Sequence, residues 1–139
     1  CNYSPSRVLD AITVGATESN DYRASYSNYG SCLDVFAPGS AITSTWIGAN
    51  STNTISGTSM ASPNVAGVVA RFLSNNPTLT PAQVANSVKT SSTKNVVVNP
   101  GASSLNQLVF LDVKPDTTTV APTDPTPTFK KVNPRGRKG

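Results

Sequence analysis

The stretch Ile55-Ser56-Gly57-Thr58-Ser59-Met60-Ala61-Ser62-Pro63-Asn64-Val65-Ala66-Gly67 decides how this chain is interpreted. It begins with small polar residues and a glycine, and it continues into an apolar segment that ends near Leu73. This change predicts a turn followed by a helix, with Ser59 in the first helical turn. Free backbone N–H groups and the positive end of the helix dipole favour negative charge there. Ser59 is therefore a candidate nucleophile for attack on a carbonyl, and the alternative is an ordinary helix start with a capping hydroxyl.

The helix predicted after this turn is apolar around its whole circumference. Its apolar residues are Ala61, Val65, Ala66, Val68, Val69, Ala70, Phe72 and Leu73. A helix of this kind is expected to be buried on all sides. Gly67 in its interior costs ~1 kcal/mol in helix propensity, so we expect a neighbouring backbone to approach closely there. Pro63 is tolerated because it lies in the first turn, where its missing N–H has no partner to lose.

A second helix is predicted to begin at Pro81. Thr80 can cap this helix, and Gln83 completes a capping box with it. The helix should run to about Thr90, with Val84 and Val88 on its inner face.

Strands are predicted in the first third of the chain. Short runs of β-branched and apolar residues lie at 11–14, 33–37 and 42–47, each followed by turn residues. Strands followed by two helices indicate an α/β domain in which helices cover a sheet.

Length and charge bound the class of protein. The 139 residues suit one ordinary domain, and 13 % of them are charged. Six of the eleven basic residues lie at or after Lys114, so 1–112 is nearly neutral and no nucleic-acid interface is expected. Residues 113–139 are rich in proline and threonine, which predicts a disordered linker with a basic tail. No stretch approaches the roughly 20 apolar residues of a bilayer span, and no signal peptide is recognisable.

The two cysteines, Cys1 and Cys32, leave two interpretations open. If bonded, they close a loop of about 30 residues and stabilise the fold by ~3–4 kcal/mol. The low charge favours an oxidising compartment, although free thiols remain the alternative. A zinc site is not expected, because the sequence has no histidine and no Cys-x-x-Cys. Asn50-Ser51-Thr52 is an N-glycosylation sequon in a predicted loop, which makes Asn50 a candidate glycan site.

The run from Gly57 to Pro63 closely resembles the nucleophile segment of subtilisin-like serine proteases, the peptidase S8 family. Further segments resemble the proteinase K and aqualysin branch in the same order, namely Tyr3–Pro5, Ile12–Ala16, Ser27–Gly30, Asp34–Gly39 and Thr45–Ile47. Together they cover about residues 1–111, and a chance match to so many ordered segments is not credible. The resemblance implies the C-terminal part of a three-layer α/β fold, with a mainly parallel sheet and a buried helix that starts near the nucleophile.

The resemblance also implies an activity. Family members are secreted endopeptidases that cleave peptide bonds of protein substrates through an acyl-enzyme. Ser59 would be the nucleophile, and its own backbone N–H would be one of the donors to the oxyanion. No cofactor would be required for this chemistry.

Two structural features are implied as well. The cysteine pair resembles the disulfide of aqualysin-type members, which favours a bond between Cys1 and Cys32. Members also carry a calcium site near this region, whose ligands would be the Asp34 carboxylate and the carbonyls of Leu9 and Ala11. The loop that bears these carbonyls is poorly matched to relatives, and the alternative is that the carboxylate caps a turn.

This chain departs from the family pattern in two ways. Relatives usually have Thr-Pro-His where this chain has Ser62-Pro63-Asn64, but that histidine is not the catalytic one, so Asn64 is not expected to inactivate. Family chemistry also requires an aspartate and a histidine before the serine, and the sequence contains no histidine. In the family, both residues and the side-chain oxyanion donor belong upstream of Cys1. We therefore expect a C-terminal portion of the catalytic domain that needs the N-terminal portion and is inactive alone.

Two rival interpretations fit parts of the sequence. The Gly57–Ala61 run approximates the Gly-x-Ser-x-Gly elbow of α/β-hydrolases, but Ala61 replaces the second glycine and the later histidine is missing. The other rival is a non-catalytic pseudoprotease or truncated piece that acts only by binding. Without the early strands of the fold, the isolated chain is expected to be aggregation-prone or only partly ordered.

Overall fold

The computed structural model describes residues 1–112, which form six short strands and two helices. The predicted linker and basic tail, 113–139, lie outside these described residues. In chain order the elements are β1 Val14–Thr17, β2 Val35–Pro38, β3 Ile42–Thr45, β4 Thr52–Ile55, α1 Thr58–Asn75, α2 Pro81–Ser91, β5 Thr93–Lys94 and β6 Gln107–Leu108.

The main sheet has the strand order β1-β2-β6-β5 and is mainly parallel, as predicted. β1 and β2 run parallel in a register that begins with Val14 opposite Val35, and β6 runs parallel to β2. At the edge of this sheet, β5 runs antiparallel to β6. The first strand begins later than the predicted 11–14, because the Ala11 N–H still bonds to the Val8 carbonyl in a turn.

A separate two-stranded hairpin joins β3 to β4, with Ile42 opposite Ile55. The hydroxyls of Thr43 and Thr54 face each other at 2.7 Å across this hairpin. The predicted strand 42–47 ends at Thr45, since the N–H of Trp46 bonds to the Ser51 carbonyl in the connecting loop.

Alternating residues of β2 place apolar side chains on both faces of the sheet. Val35 and Ala37 join the larger core cluster, which includes residues of α1 and α2. Phe36 points to the opposite face and is fully buried in a second cluster with Leu33 and Val97. The helices thus cover one face of the sheet, and loop residues cover the other.

α1 packs only one side of its surface against β1, β2 and α2. Its buried residues follow one helical face, namely Ala61, Val65 and Val68. The prediction of burial on all sides is wrong for the described residues, because Ala66, Gly67 and Ala70 are exposed. The expected close approach at Gly67 is also absent from the described part, where a Cβ added there would meet nothing within 4 Å.

α2 matches its prediction closely. The Thr80 side chain accepts a hydrogen bond from the Gln83 N–H, and the Gln83 side chain accepts one from the Thr80 N–H at 2.8 Å. Val84 and Val88 are the buried residues of this helix. No helix of residues 1–112 has the length and hydropathy that a membrane crossing requires.

Candidate active site

The start of α1 is bonded to the carboxyl ends of the two adjoining parallel strands. The Gly57 N–H donates to the Gly39 carbonyl at 2.8 Å, and the Gly39 N–H donates to the Thr17 carbonyl at 3.0 Å. β1 ends at Thr17 and β2 at Pro38, so α1 begins at the sheet edge where open α/β folds bind ligands.

Position 39 requires a glycine because three elements meet there. A Cβ at Gly39 would lie 2.6 Å from the Cβ of Ala16 and 2.8 Å from the Gly57 carbonyl oxygen. It would also lie 3.3 Å from the Cβ of Ala61 on α1. The absence of a side chain therefore lets the turn after β2 pass between β1 and the first turn of α1.

Ser59 is exposed at the second position of α1. The N-cap is Gly57, and no side chain caps this helix end, so the alternative of a capping Ser59 hydroxyl is wrong. The first turn also contains no acidic residue. The positive end of the helix dipole is therefore not neutralised locally, and it remains available to developing negative charge.

A surface depression adjoins the Ser59 side chain. Its lining combines hydroxyls and apolar groups, from Pro5, Ser6, Ala11, Ile12, Thr13, Val14, Thr58, Ser59 and Ser62. No lining residue in the described part of the chain is an acid or a base. A serine nucleophile needs a base within hydrogen-bond reach, and these residues do not supply one.

Asn64 joins the first turns of α1 to the end of β2. Its side-chain amide donates to the Pro38 carbonyl at 2.9 Å and to the Met60 carbonyl at 3.3 Å. From the sequence, Asn64 was expected only to be a tolerated departure from the family pattern, and this contact was not predicted. Its i, i+4 spacing from Met60 was a usable signal, but the bond to Pro38 depends on the tertiary fold.

A disulfide joins Cys1 to Cys32 with a Cα–Cα distance of 5.4 Å, which is the pairing that the resemblance implied. Both cysteines line a second depression, which also contacts Tyr3, Tyr29 and Thr58. The bridge therefore holds the N-terminal residues close to the loop that precedes β2 and near the start of α1.

The three candidate calcium ligands do not fit a calcium ion in this structure. One carboxylate oxygen of Asp34 accepts the Thr13 N–H at 2.7 Å, and the other pairs with the Lys89 ammonium at 2.6 Å. Leu9 and Ala11 offer only carbonyls, and no group of three acidic, histidine or cysteine residues suited to a metal occurs within 1–112. A site with one carboxylate that is already paired with a cation lacks the several free oxygen ligands that calcium prefers.

Asn50 lies in the exposed loop between β3 and β4. Its φ of 56° places it in the left-handed region, which asparagine tolerates better than most residues. Because Asn50 is exposed, its side-chain amide is accessible from solvent.

Comparison with known proteins identifies relatives across most of the described chain. The family model described as Subtilase family matches residues 2–109. An extracellular serine proteinase of Thermus sp. (strain Rt41A) is 59 % identical over 111 residues, which are 79 % of this chain and 27 % of that protein. Subtilisin-like protease 3 of Pseudogymnoascus destructans is 56 % identical over 112 residues, or 78 % of this chain and 28 % of that protein.

A solved structure is also similar to this chain. The crystal structure of a cold adapted subtilisin-like serine proteinase matches with a TM-score of 0.74 and 46 % identity. The match covers 78 % of this chain and 40 % of that chain. The chain thus spans about a quarter of the length of the curated relatives named above.

Proposed function

The chain belongs to the subtilase family, and we propose that it contributes the nucleophile, Ser59, to a secreted serine endopeptidase that hydrolyses peptide bonds. The observation that carries this proposal is the exposed Ser59 in the uncapped first turn of α1, within a chain that matches the family over residues 2–109. The relatives from Thermus and Pseudogymnoascus are themselves named a serine proteinase and a subtilisin-like protease.

The proposed reaction proceeds through an acyl-enzyme. The Ser59 Oγ bonds to the carbonyl carbon of the substrate peptide while its proton passes to a histidine base. The Ser59 backbone N–H donates to the oxyanion of the tetrahedral intermediate. The C–N bond then breaks, the amine leaves with the proton, and water hydrolyses the ester.

We infer that these 139 residues are inactive by themselves. They contain no histidine, and the depression beside Ser59 is lined by hydroxyl and apolar groups only. The base and its orienting aspartate would have to come from residues outside this sequence. Without them, only weak residual catalysis is expected.

The partner that we propose is the N-terminal portion of a subtilase catalytic domain. Support comes from α1, whose exposed residues Ala66, Gly67 and Ala70 continue an apolar pattern around the helix. Small residues of this kind suit close packing against another layer. Support also comes from coverage, since the chain matches 40 % of the solved subtilisin-like structure.

An active-site serine probe tests both parts of the proposal. A fluorophosphonate should not label the isolated chain, whereas it should label Ser59 after the chain is mixed with a separately expressed N-terminal portion of a subtilase. Ser59→Ala should abolish the label in the mixture, and Ser74→Ala, at an exposed position near the other end of the same helix, should keep it. Labelling of the isolated chain would contradict the inferred inactivity.

The same mixture separates the catalytic proposal from the non-catalytic alternative. If the two portions form a complex by size-exclusion chromatography but Ser59 stays unlabelled, a binding or structural role is favoured. If Ser59 is labelled and a casein substrate is cleaved, the endopeptidase proposal holds.

Secretion and glycosylation are further proposals. The Thermus relative is named extracellular, and a disulfide is suited to an oxidising compartment. The exposed Asn50 within the Asn50-Ser51-Thr52 sequon is accessible to a glycan. Expression through a eukaryotic secretory pathway should add mass that N-glycosidase removes, and Asn50→Gln should lack it.

A further inference from the structure

The Asp34 carboxylate connects three separate parts of the chain. Its Oδ2 accepts the Thr13 N–H at 2.7 Å, and the Asp34 N–H donates to the Thr13 carbonyl at 2.9 Å, so the two residues are joined in both directions. Its Oδ1 contacts the Lys89 ammonium on α2 at 2.6 Å. The starts of β1 and β2 are thereby tied to the second helix through one side chain.

The loop before β1 is included in this connection. The Thr13 hydroxyl donates to the Ser6 carbonyl at 3.0 Å, which holds the loop against the residue that bonds to Asp34. Leu9 and Asp10 of the loop line one depression together with Lys89. Lys89 therefore contacts the Asp34 carboxylate and also borders a depression lined by Leu9, one of the other candidate calcium ligands.

Lys89 is fixed in this position by its place on α2. The preceding residue, Val88, is fully buried and sets the rotation of the helix. Lys89 is the basic residue of the last turn, where the negative end of the helix dipole favours a cation. The side chain of Asp34 is 18 % exposed and that of Lys89 is 38 % exposed, so the pair is partly shielded from water.

We propose that the Lys89 ammonium replaces calcium as the resident cation at Asp34. The pair is neutral, so a calcium ion could bind only by displacing Lys89 or by sharing a single carboxylate with it. The segment from Ser6 to Asp34 is consequently held by a covalently tethered cation and does not depend on calcium. This inference does not rest on the proposed proteolysis.

Calcium titration of the full chain tests the replacement. The wild-type chain should show no specific binding in the Kd range of about 10⁻⁴–10⁻³ M that weak extracellular sites occupy. Lys89→Met should bind calcium with a Kd of about 10⁻³ M or below, because it frees the Asp34 oxygen that is paired with Lys89. Lys89→Arg, which keeps the charge, and Lys94→Met, which removes an exposed lysine on β5, should behave as the wild type does. Asp34→Asn in the Lys89→Met background should abolish the gained binding.

Thermal unfolding supplies the second readout. Lys89→Met should lower the Tm by about 2–4 °C in excess EDTA, and calcium should restore the loss. The wild-type Tm should be the same in calcium and in EDTA. The proposal is overturned if the wild type binds calcium in that range and loses it in Asp34→Asn. It is equally overturned if Lys89→Met gains no calcium binding.

Discussion

The backbone N–H of Gly57 lies 2.8 Å from the carbonyl oxygen of Gly39, and this bond fixes the helix that carries Ser59 to the end of β2. Gly39 in turn bonds to Thr17 at the end of β1. The position of the candidate nucleophile therefore depends on two glycines that do not line the depression beside Ser59. It follows that substitutions outside the depression beside Ser59 can displace it.

Gly39→Ala is expected to destabilise the chain by about 1–3 kcal/mol, the range of an overpacked core. The new Cβ would lie 2.6 Å from the Ala16 Cβ and 2.8 Å from the Gly57 carbonyl oxygen, both of which belong to fixed elements. Chemical denaturation of the two chains measures the difference. Gly67→Ala is the matched control, and it should stabilise by up to about 1 kcal/mol because it removes a helical glycine at an open position. Equal effects of the two substitutions would contradict the role of Gly39.

Asn64→Ala should destabilise the chain by about 1–2 kcal/mol, because the amide hydrogen bonds to Pro38 and Met60 are lost. In the mixture with the N-terminal portion of a subtilase, the rate at which fluorophosphonate labels Ser59 should also fall, because the first turns of α1 lose their link to β2. Asn86→Ala, at an exposed position of α2, is the control and should change neither quantity. A loss of stability without any change in labelling would show that Asn64 does not position the nucleophile.

Thr17→Val is expected to stabilise the chain by about 1 kcal/mol. The Thr17 hydroxyl is buried and has no hydrogen-bond partner within the described residues, so the native side chain carries an unmet desolvation penalty. Thr13→Val is the opposite control, because its hydroxyl bonds to the Ser6 carbonyl, and it should destabilise. Denaturation midpoints report both. A destabilised Thr17→Val chain would mean that the hydroxyl has a partner in solution.

Removing the disulfide through Cys1→Ser and Cys32→Ser should lower the free energy of unfolding by about 3–4 kcal/mol in the chain-entropy model, given the separation of 31 residues. Alkylation and mass spectrometry of the wild type should detect no free thiol before reduction and two after it. Two free thiols in the protein purified without reductant would contradict the bond.

Sequence patterns predicted the elements that depend on residues close to one another in the sequence. The capping box at Thr80 and Gln83 and the short strand predicted at 33–37 depend on neighbouring residues, and both are present, the strand as Val35–Pro38. The Asn64–Pro38 bond and the Asp34–Lys89 pair join residues that are far apart in sequence, and no periodicity reports such pairs.

The exposed face of α1 was wrongly predicted to be buried, and the reason is a different one. A helix that is apolar on all sides is suited to burial on all sides. In the structure of residues 1–112, however, Ala66 and Ala70 are exposed to solvent. The difference between pattern and exposure agrees with our proposal that another layer covers this face, and it can be tested at Gly67.

Gly67→Leu should leave the fold of residues 1–112 intact, because a Cβ at this position meets nothing within 4 Å. If the N-terminal portion of a subtilase packs on this face, the added side chain should weaken the complex about tenfold or more, since overpacking a close interface costs about 1–3 kcal/mol. Asn86→Leu places the same side chain on an exposed position of α2 and serves as the control. Isothermal titration with the N-terminal portion measures both affinities, and circular dichroism checks that each variant is folded. An unchanged affinity for Gly67→Leu would remove this face of α1 from the proposed interface.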